Sequence, residues 1–202
     1  MGLLSFWELP PEFVERFPVF VETGTGAGES LAYAAQHGFR RLYTTDTELV
    51  LVQKATERFA CDGRIACSMM PSWFYLSVYA DSGSFFWLDA HFPGSDHCGA
   101  PWDCEPDMAI RFPLESELQA IRHAVPSGDY AILIDDLRFY DQDLDCEEGP
   151  MPAEQRHLFA GLPTLGDLLR PFLGTHDIEI DRRNAGYAVI VPKGSPRPCP
   201  RK

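Results

Sequence analysis

The chain has 202 residues, of which 45% are hydrophobic and 23% charged, enough for one globular domain over residues 1–202 with a sizeable core. Its net charge of −13 argues against a nucleic-acid partner, because phosphate-backbone binding runs mainly on Lys and Arg. No run approaches the roughly 20 apolar residues that a bilayer span needs, so no membrane partner is expected. The opening MGLLSFWELPPEF lacks a basic leader and carries Glu8 and Glu12, so it reads as mature, cytoplasmic protein. Phe6 stands where a myristoylation motif needs Ser or Thr.

No internal repeat is present. Strand-like and helix-like stretches alternate instead, the pattern of a mostly parallel sheet with helices on both faces. Residues 18–22 (PVFVE) are a buried strand by their apolar run, and 30–38 (SLAYAAQHG) a helix stopped by Gly38. Residues 41–45 (RLYTT) form the next strand, 49–59 a helix by period, and 64–67 a weak short strand. The stretch after Pro71 is helical. Residues 84–88 (SFFWL) and 130–134 (YAILI) are strong buried strands, separated by a helix over 114–125. A helix over 165–173 follows. The strands at 176–181 and 187–191 flank an Arg-Arg-Asn-Ala-Gly turn and form a terminal antiparallel hairpin.

Two stretches break this rhythm. Residues 92–112 are rich in Pro, Gly, Asp and Cys, and residues 140–163 are acidic, then Pro-rich. Both follow strand ends, where open α/β sheets bind their ligands, so both are expected to be lid or substrate loops. Six cysteines are present, and reduced thiols are the default in such a chain. Cys98 and Cys104 lie near His91 and His97, but C-x5-C is not a usual zinc spacing. Ordinary loop cysteines are the first reading, a zinc site or a Cys98–Cys104 bridge the others.

The most informative turn is FVETGTGAGES, residues 20–30. A strand, a glycine turn and a helix place backbone N–H groups at the helix start, and glycine permits close approach and positive φ. Asp46 ends the next strand, 20 residues after Gly26, where an acid commonly takes two ribose hydroxyls; Glu48 is its neighbouring candidate. A nucleoside-type ligand is expected. Gly24, Gly26 and Gly28 give G-x-G-x-G, with Glu29 where a dinucleotide fingerprint has its last glycine. Glu22 stands two residues before the turn. A carboxylate there would repel a pyrophosphate but suits an ammonium and a sulfonium, which favours S-adenosylmethionine over NAD.

VETGTGAGES resembles motif I of the class I S-adenosylmethionine-dependent methyltransferases, and the hairpin IEIDRRNAGYAVIVP is similar to that fold's last two strands. The resemblance runs over residues 18–192. It implies a three-layer Rossmann-like methyltransferase fold, with a mostly parallel seven-stranded sheet and a C-terminal antiparallel hairpin. It also implies a cofactor site at Glu22, Gly24, Thr25, Gly26, Gly28, Asp46 and Asp89. The third strand ends in Cys67-Ser68, where many relatives carry an adenine-contacting acid, so Ser68 is the substitute contact.

FFWLDAHF and AILIDDLRFY carry the remaining chemistry. Asp89 ends one buried strand, and Asp135 and Asp136 end the next. On neighbouring strands the three would converge, and crowded carboxylates repel unless one is protonated or a cation neutralises them. Oxygen-only ligands suit Mg²⁺ or Ca²⁺, and such an ion could bind vicinal hydroxyls and lower the pKa of one. The arrangement resembles the metal-dependent macrocin-type sugar O-methyltransferases, and the stretch from FFWLDAH to LIDDLRF also resembles uncharacterised bacterial methyltransferase-like proteins. The first resemblance implies Asp89, Asp135 and Asp136 as metal ligands, with Mg²⁺ as a second cofactor. The alternative is that these aspartates cap helices or accept loop N–H groups. His91 lies at the same edge as a candidate general base, so Asp89, His91 and Asp136 form the candidate catalytic set. The expected activity is methyl transfer to a small-molecule or sugar-derived hydroxyl, with room for a homodimer. A non-catalytic cofactor-binding domain acting as an interaction partner and an NAD-dependent oxidoreductase are the alternatives.

Overall fold

Strands buried on both faces read as near-continuous apolar runs, and this chain has several. In a computed structural model, which describes residues 3–92, 95–101 and 103–201, they lie side by side. The main sheet has seven strands: β1 (Val19–Thr23), β2 (Arg41–Asp46), β3 (Ile65–Met69), β4 (Ser84–Leu88), β5 (Tyr130–Ile134), β6 (His176–Asp181) and β7 (Tyr187–Pro192). Their spatial order is β3-β2-β1-β4-β5-β7-β6. Pairings among β1 to β5 are parallel, while β7 runs antiparallel to both β5 and β6. This is the Rossmann-like methyltransferase architecture implied by the resemblance, terminal hairpin included.

Alternation along each strand splits the core into two layers. Phe20, Phe85, Trp87, Leu133 and Val189 face one side; Val21, Phe86, Leu88, Ile132 and Ile190 face the other. The first layer is closed by the N-terminal segment and by α2 (Glu29–Ala35). There α1 (Pro11–Arg16) packs Phe13 edge-on against Phe85, ring centroids 5.0 Å apart. The second layer is closed by α4 (Ser72–Tyr79), α7 (Leu114–Ala124) and α8 (Leu165–Leu169). Pro171 has no N–H to extend α8, which ends in a 3-10 turn over Arg170–Phe172. Flanking β2 and β3 is α3 (Leu49–Arg58). Two features were not anticipated: α1, and a two-stranded pairing of Trp7–Glu8 with Cys199–Pro200. Elements this short carry too little periodicity to read.

The two irregular stretches differ in placement. Residues 92–112 hold α5 (Ser95–Cys98) and α6 (Met108–Arg111), and they overhang the carboxyl edge of the sheet. Residues 140–163 instead pin Leu144, Cys146, Met151 and Phe159 into the second core layer and border a separate hollow. Trp102, within the 92–112 stretch, lies outside the described residues. All six cysteines are free thiols. Among the described residues no helix is long and apolar enough to cross a membrane.

Phe85 is fully buried and touches the rings of Phe13, Phe20 and Phe39. Phe85→Ala is expected to lower unfolding free energy by about 3–5 kcal/mol, read from the urea midpoint at unchanged slope.

Candidate functional site

Strand order reverses between β1 and β4, so the connections that leave them diverge and open a crevice at their carboxyl ends. A cleft with about 800 Å³ of atom-free space, partly open to solvent, lies there. Gly24, Gly26, Asp46, Asp89, His91 and Asp136, all named from sequence, line it together.

The glycine turn forms one wall. Gly24, Gly26 and Gly28 all have positive φ (80°, 50° and 76°). A Cβ on Gly24 would lie 2.5 Å from the Asp89 carbonyl oxygen, a backbone atom that cannot yield, whereas one on Gly26 would meet only the tip of the His97 side chain, and there the positive φ is what favours glycine. Gly28 serves packing, since its Cβ would face the Phe59 ring on the α3 side. The turn's donors are used internally. The N–H groups of Gly24 and Thr25 donate to the Thr45 carbonyl (2.9 and 3.2 Å), and the Gly26 N–H donates to Asp46 Oδ2 (3.1 Å). Glu48 N–H donates to Asp46 Oδ1 (2.9 Å). The three turn N–H groups are already engaged, and the Asp46 carboxylate beside Gly26 stands where a pyrophosphate would be repelled.

Glu22 lies beneath the turn. It is buried, and its Oε2 accepts from Thr44 Oγ1 at 2.7 Å; Thr44 Oγ1 is in turn 2.7 Å from Thr25 Oγ1. Burial, only partly offset by the Thr44 hydrogen bond, pushes the Glu22 carboxyl up to about 8. Glu22 and Thr25 thus support the turn from below, outside the cleft lining. Ser68 is also outside it: Tyr75 neighbours its side chain, and its carbonyl accepts from Thr45 Oγ1 at 3.2 Å. The lining near β3 is instead Met70, Pro71, Ser72 and Trp73.

The opposite wall is built by β4 and β5. His91 Nε2 lies 2.8 Å from Asp136 Oδ2, and His91 Nδ1 lies 3.7 Å from Asp89 Oδ1. Asp136 sits in the left-handed region (φ 54°), a conformation that Asp tolerates better than most residues. Burial pushes its pKa upward, but the hydrogen bond and charge of His91 outweigh this and hold it below the usual range. Asp135 goes elsewhere. Both acids lie beyond Ile134, the last strand residue, and the left-handed turn at Asp136 sends their carboxyls apart. Asp135 is therefore buried, accepts the Asp136 N–H at 2.8 Å through Oδ1, and has Tyr187 as a neighbour. Burial first, then the charge of Asp136, drives its carboxyl well above the usual range.

This corrects the metal reading. Asp89, Asp135 and Asp136 do not converge on one point: Asp135 is turned inward, while His91 faces Asp136. Among the described residues no group of three or more His, Cys, Asp or Glu side chains is placed to hold a metal ion. Mg²⁺ does not fit these residues, and neither does zinc at His91, His97, Cys98 and Cys104.

Sequence reasoning passed over two residues. Glu117 of α7 is 1% exposed, behind the cleft wall, with Ser72 and Thr23 as polar neighbours. Burial pushes its carboxyl up to about 7. Its signal was a charged residue on the buried helix stripe of Leu114, Leu118 and Ile121. His97, noted only as a zinc candidate, lies over Gly26.

No protein-family model and no curated protein sequence matches the chain. Solved structures match over most of its length. A Podospora anserina methyltransferase with S-adenosylhomocysteine bound is 16% identical, at TM-score 0.56 over 91% of this chain and 76% of that one. A protein assigned as a caffeoyl-CoA O-methyltransferase from Staphylococcus aureus is 10% identical, at TM-score 0.60 over 95% and 84%. Spermidine synthase from Thermotoga maritima is 11% identical, at TM-score 0.58 over 95% and 59%. These likenesses establish the fold; the reaction must come from the site.

The buried acids make stability depend on pH. Glu22 has a folded pKa of about 8 and Glu117 one of about 7, both above the ordinary value of 4.5. Raised folded values mean that the native state holds protons the unfolded chain has released. Stability from these groups is full below pH 4.5 and falls as pH rises towards 7 and 8. Glu22→Gln should remove part of this slope, gaining on the order of 3 kcal/mol relative to wild type between acidic and mildly basic pH, as read by urea unfolding across that range.

Proposed function

We propose that the protein is an S-adenosylmethionine-dependent methyltransferase acting on a hydroxyl of a small molecule. The observation that carries this reading is a single cleft with two unlike walls: the glycine turn with Asp46 on one side, and His91 hydrogen-bonded to Asp136 on the other. The resemblance of VETGTGAGES to motif I and the fold shared with methyltransferases support it.

In this reading Asp46 accepts the ribose hydroxyls. Both its oxygens keep lone pairs after accepting the Gly26 and Glu48 N–H groups. The adenine lies against the apolar lining of Leu51, Met70 and Trp73. Asp89 places negative character near the sulfonium, whereas a dinucleotide pyrophosphate would meet the Asp46 carboxylate.

Methyl transfer is an in-line displacement, so the protein contributes positioning and deprotonation of the nucleophile. With His91 Nε2–H donated to Asp136, Nδ1 is the acceptor of the substrate's hydroxyl proton. The Asp136 carboxylate fixes the ring and stabilises the imidazolium that forms. The oxygen–methyl bond forms as the sulfur–methyl bond breaks, and the sulfur leaves neutral. No step runs through a metal.

Calorimetry tests this. Wild-type protein should bind S-adenosylmethionine and S-adenosylhomocysteine. Asp46→Ala should weaken both by about tenfold or more, the loss of charge-assisted hydrogen bonds, while His91→Ala should leave S-adenosylhomocysteine affinity within about threefold. Silence towards both ligands, with NAD bound, would contradict the proposal.

A further inference from the structure

A helix that is apolar all round is normally buried, and α4 breaks that rule. Its sequence, SWFYLSVY, carries no charge. Tyr75 and Leu76 enter the second core layer, while Trp73, Phe74 and Val78 lie on the opposite face, exposed to solvent. The uncharged surface extends beyond the helix. Residues 65–80 contain no Asp, Glu, Lys, Arg or His, in a chain where 23% of residues are charged. Met69, which ends β3, and Leu49, which starts α3, are exposed as well. On this side β3 is the outer strand of the sheet, and it has no Pro or Lys, the residues that keep an exposed edge from pairing.

Charge decides what covers this surface. The protein carries −13 net charge, so two copies repel where charged surfaces meet and approach at least cost over a face that has none. A basic or acidic partner would be selected by complementary side chains, and residues 65–80 offer none. An apolar helix face needs only its own copy across a two-fold axis, where the same patch meets itself. The area fits too. Leu49, Met69, Trp73, Phe74, Val78 and Tyr79 are 39–57% exposed and together leave roughly 600 Å² uncovered, enough for the apolar share of a standard interface of about 800 Å² per partner. We infer that the protein is an isologous homodimer whose copies meet through the outer face of α4 and the β3 edge beside it. Trp73 also lines the cleft, so the second copy sits at the cleft's rim. Nothing in this pairing depends on what the cleft binds.

Sedimentation equilibrium of the full-length protein tests the pairing. At about 50 μM, above the micromolar limit of such interfaces, the wild type should sediment as a dimer. Added salt should leave the dimer as tight or tighter, since screening relieves repulsion between like-charged copies. Phe74→Glu and Val78→Glu change side chains that are exposed in the protomer, so circular dichroism should be unchanged. Each should raise the dissociation constant about thirtyfold or more. Leu173→Glu, an exposed apolar position just before the opposite edge strand β6, should leave the dimer intact. A wild-type monomer at that concentration, a dimer that survives both α4 substitutions, or loss of the dimer in Leu173→Glu would overturn the inference. A monomer that binds phosphatidylcholine vesicles, and loses them in Phe74→Glu, would give the face to a bilayer and overturn it equally.

Discussion

Everything at the site depends on the reversal of strand order between β1 and β4. The chain leaves β1 towards β2 on one side and leaves β4 towards β5 on the other. Their connections cannot fill the space between them, so the sheet's centre is open at its carboxyl edge. β1 and β4 pair in register from Val19 with Ser84 to Thr23 with Leu88, which brings the Gly24 turn against the Asp89 backbone. That contact is too close for a side chain, and a glycine there is a consequence of the sheet's topology as much as of a ligand.

The acids around this opening have different fates, set by depth. Glu22, Asp135 and Glu117 are buried and shifted towards the neutral form. Asp136 is also buried, yet it stays ionised because His91 donates to it. Asp46 is partly buried and tied to two backbone N–H groups. A chain of −13 net charge thus places the carboxyls shifted towards the neutral form behind the cleft, and Asp46, Asp89 and Asp136 on its surface. Like charges in one cleft repel, and this division of protonation, with the charge of His91 beside Asp136, relieves them.

The strands of the fold were legible because their signal is local. SFFWL and YAILI are apolar on both faces and could only be buried strands, and β4 and β5 occupy those residues. The site was legible in part for the same reason: residues that follow strand ends share one edge whatever their neighbours do. Asp89, His91, Asp136, Gly26 and Asp46 met in one cleft on that rule alone. Direction at the edge was not legible. Which member of Asp135-Asp136 faces the cleft depends on the backbone turning left-handed at Asp136, and no spacing rule reports that. Glu22 and Ser68 carry the right chemistry at the right strand ends but are covered by Thr44 and Tyr75, contacts from other strands and helices. Glu117 did leave a trace, a carboxylate on an otherwise apolar helix stripe.

The central claim is that one cleft holds both a nucleoside cofactor at Asp46 and a proton acceptor at His91. The most direct measurement is a crystal structure of the protein grown with S-adenosylhomocysteine. The ribose hydroxyls should lie within hydrogen-bond distance of the Asp46 carboxylate, the adenine against Leu51, Met70 and Trp73, and the sulfur should face the space beside His91. A nucleoside bound away from Asp46, or its sulfur directed away from His91, would contradict the account.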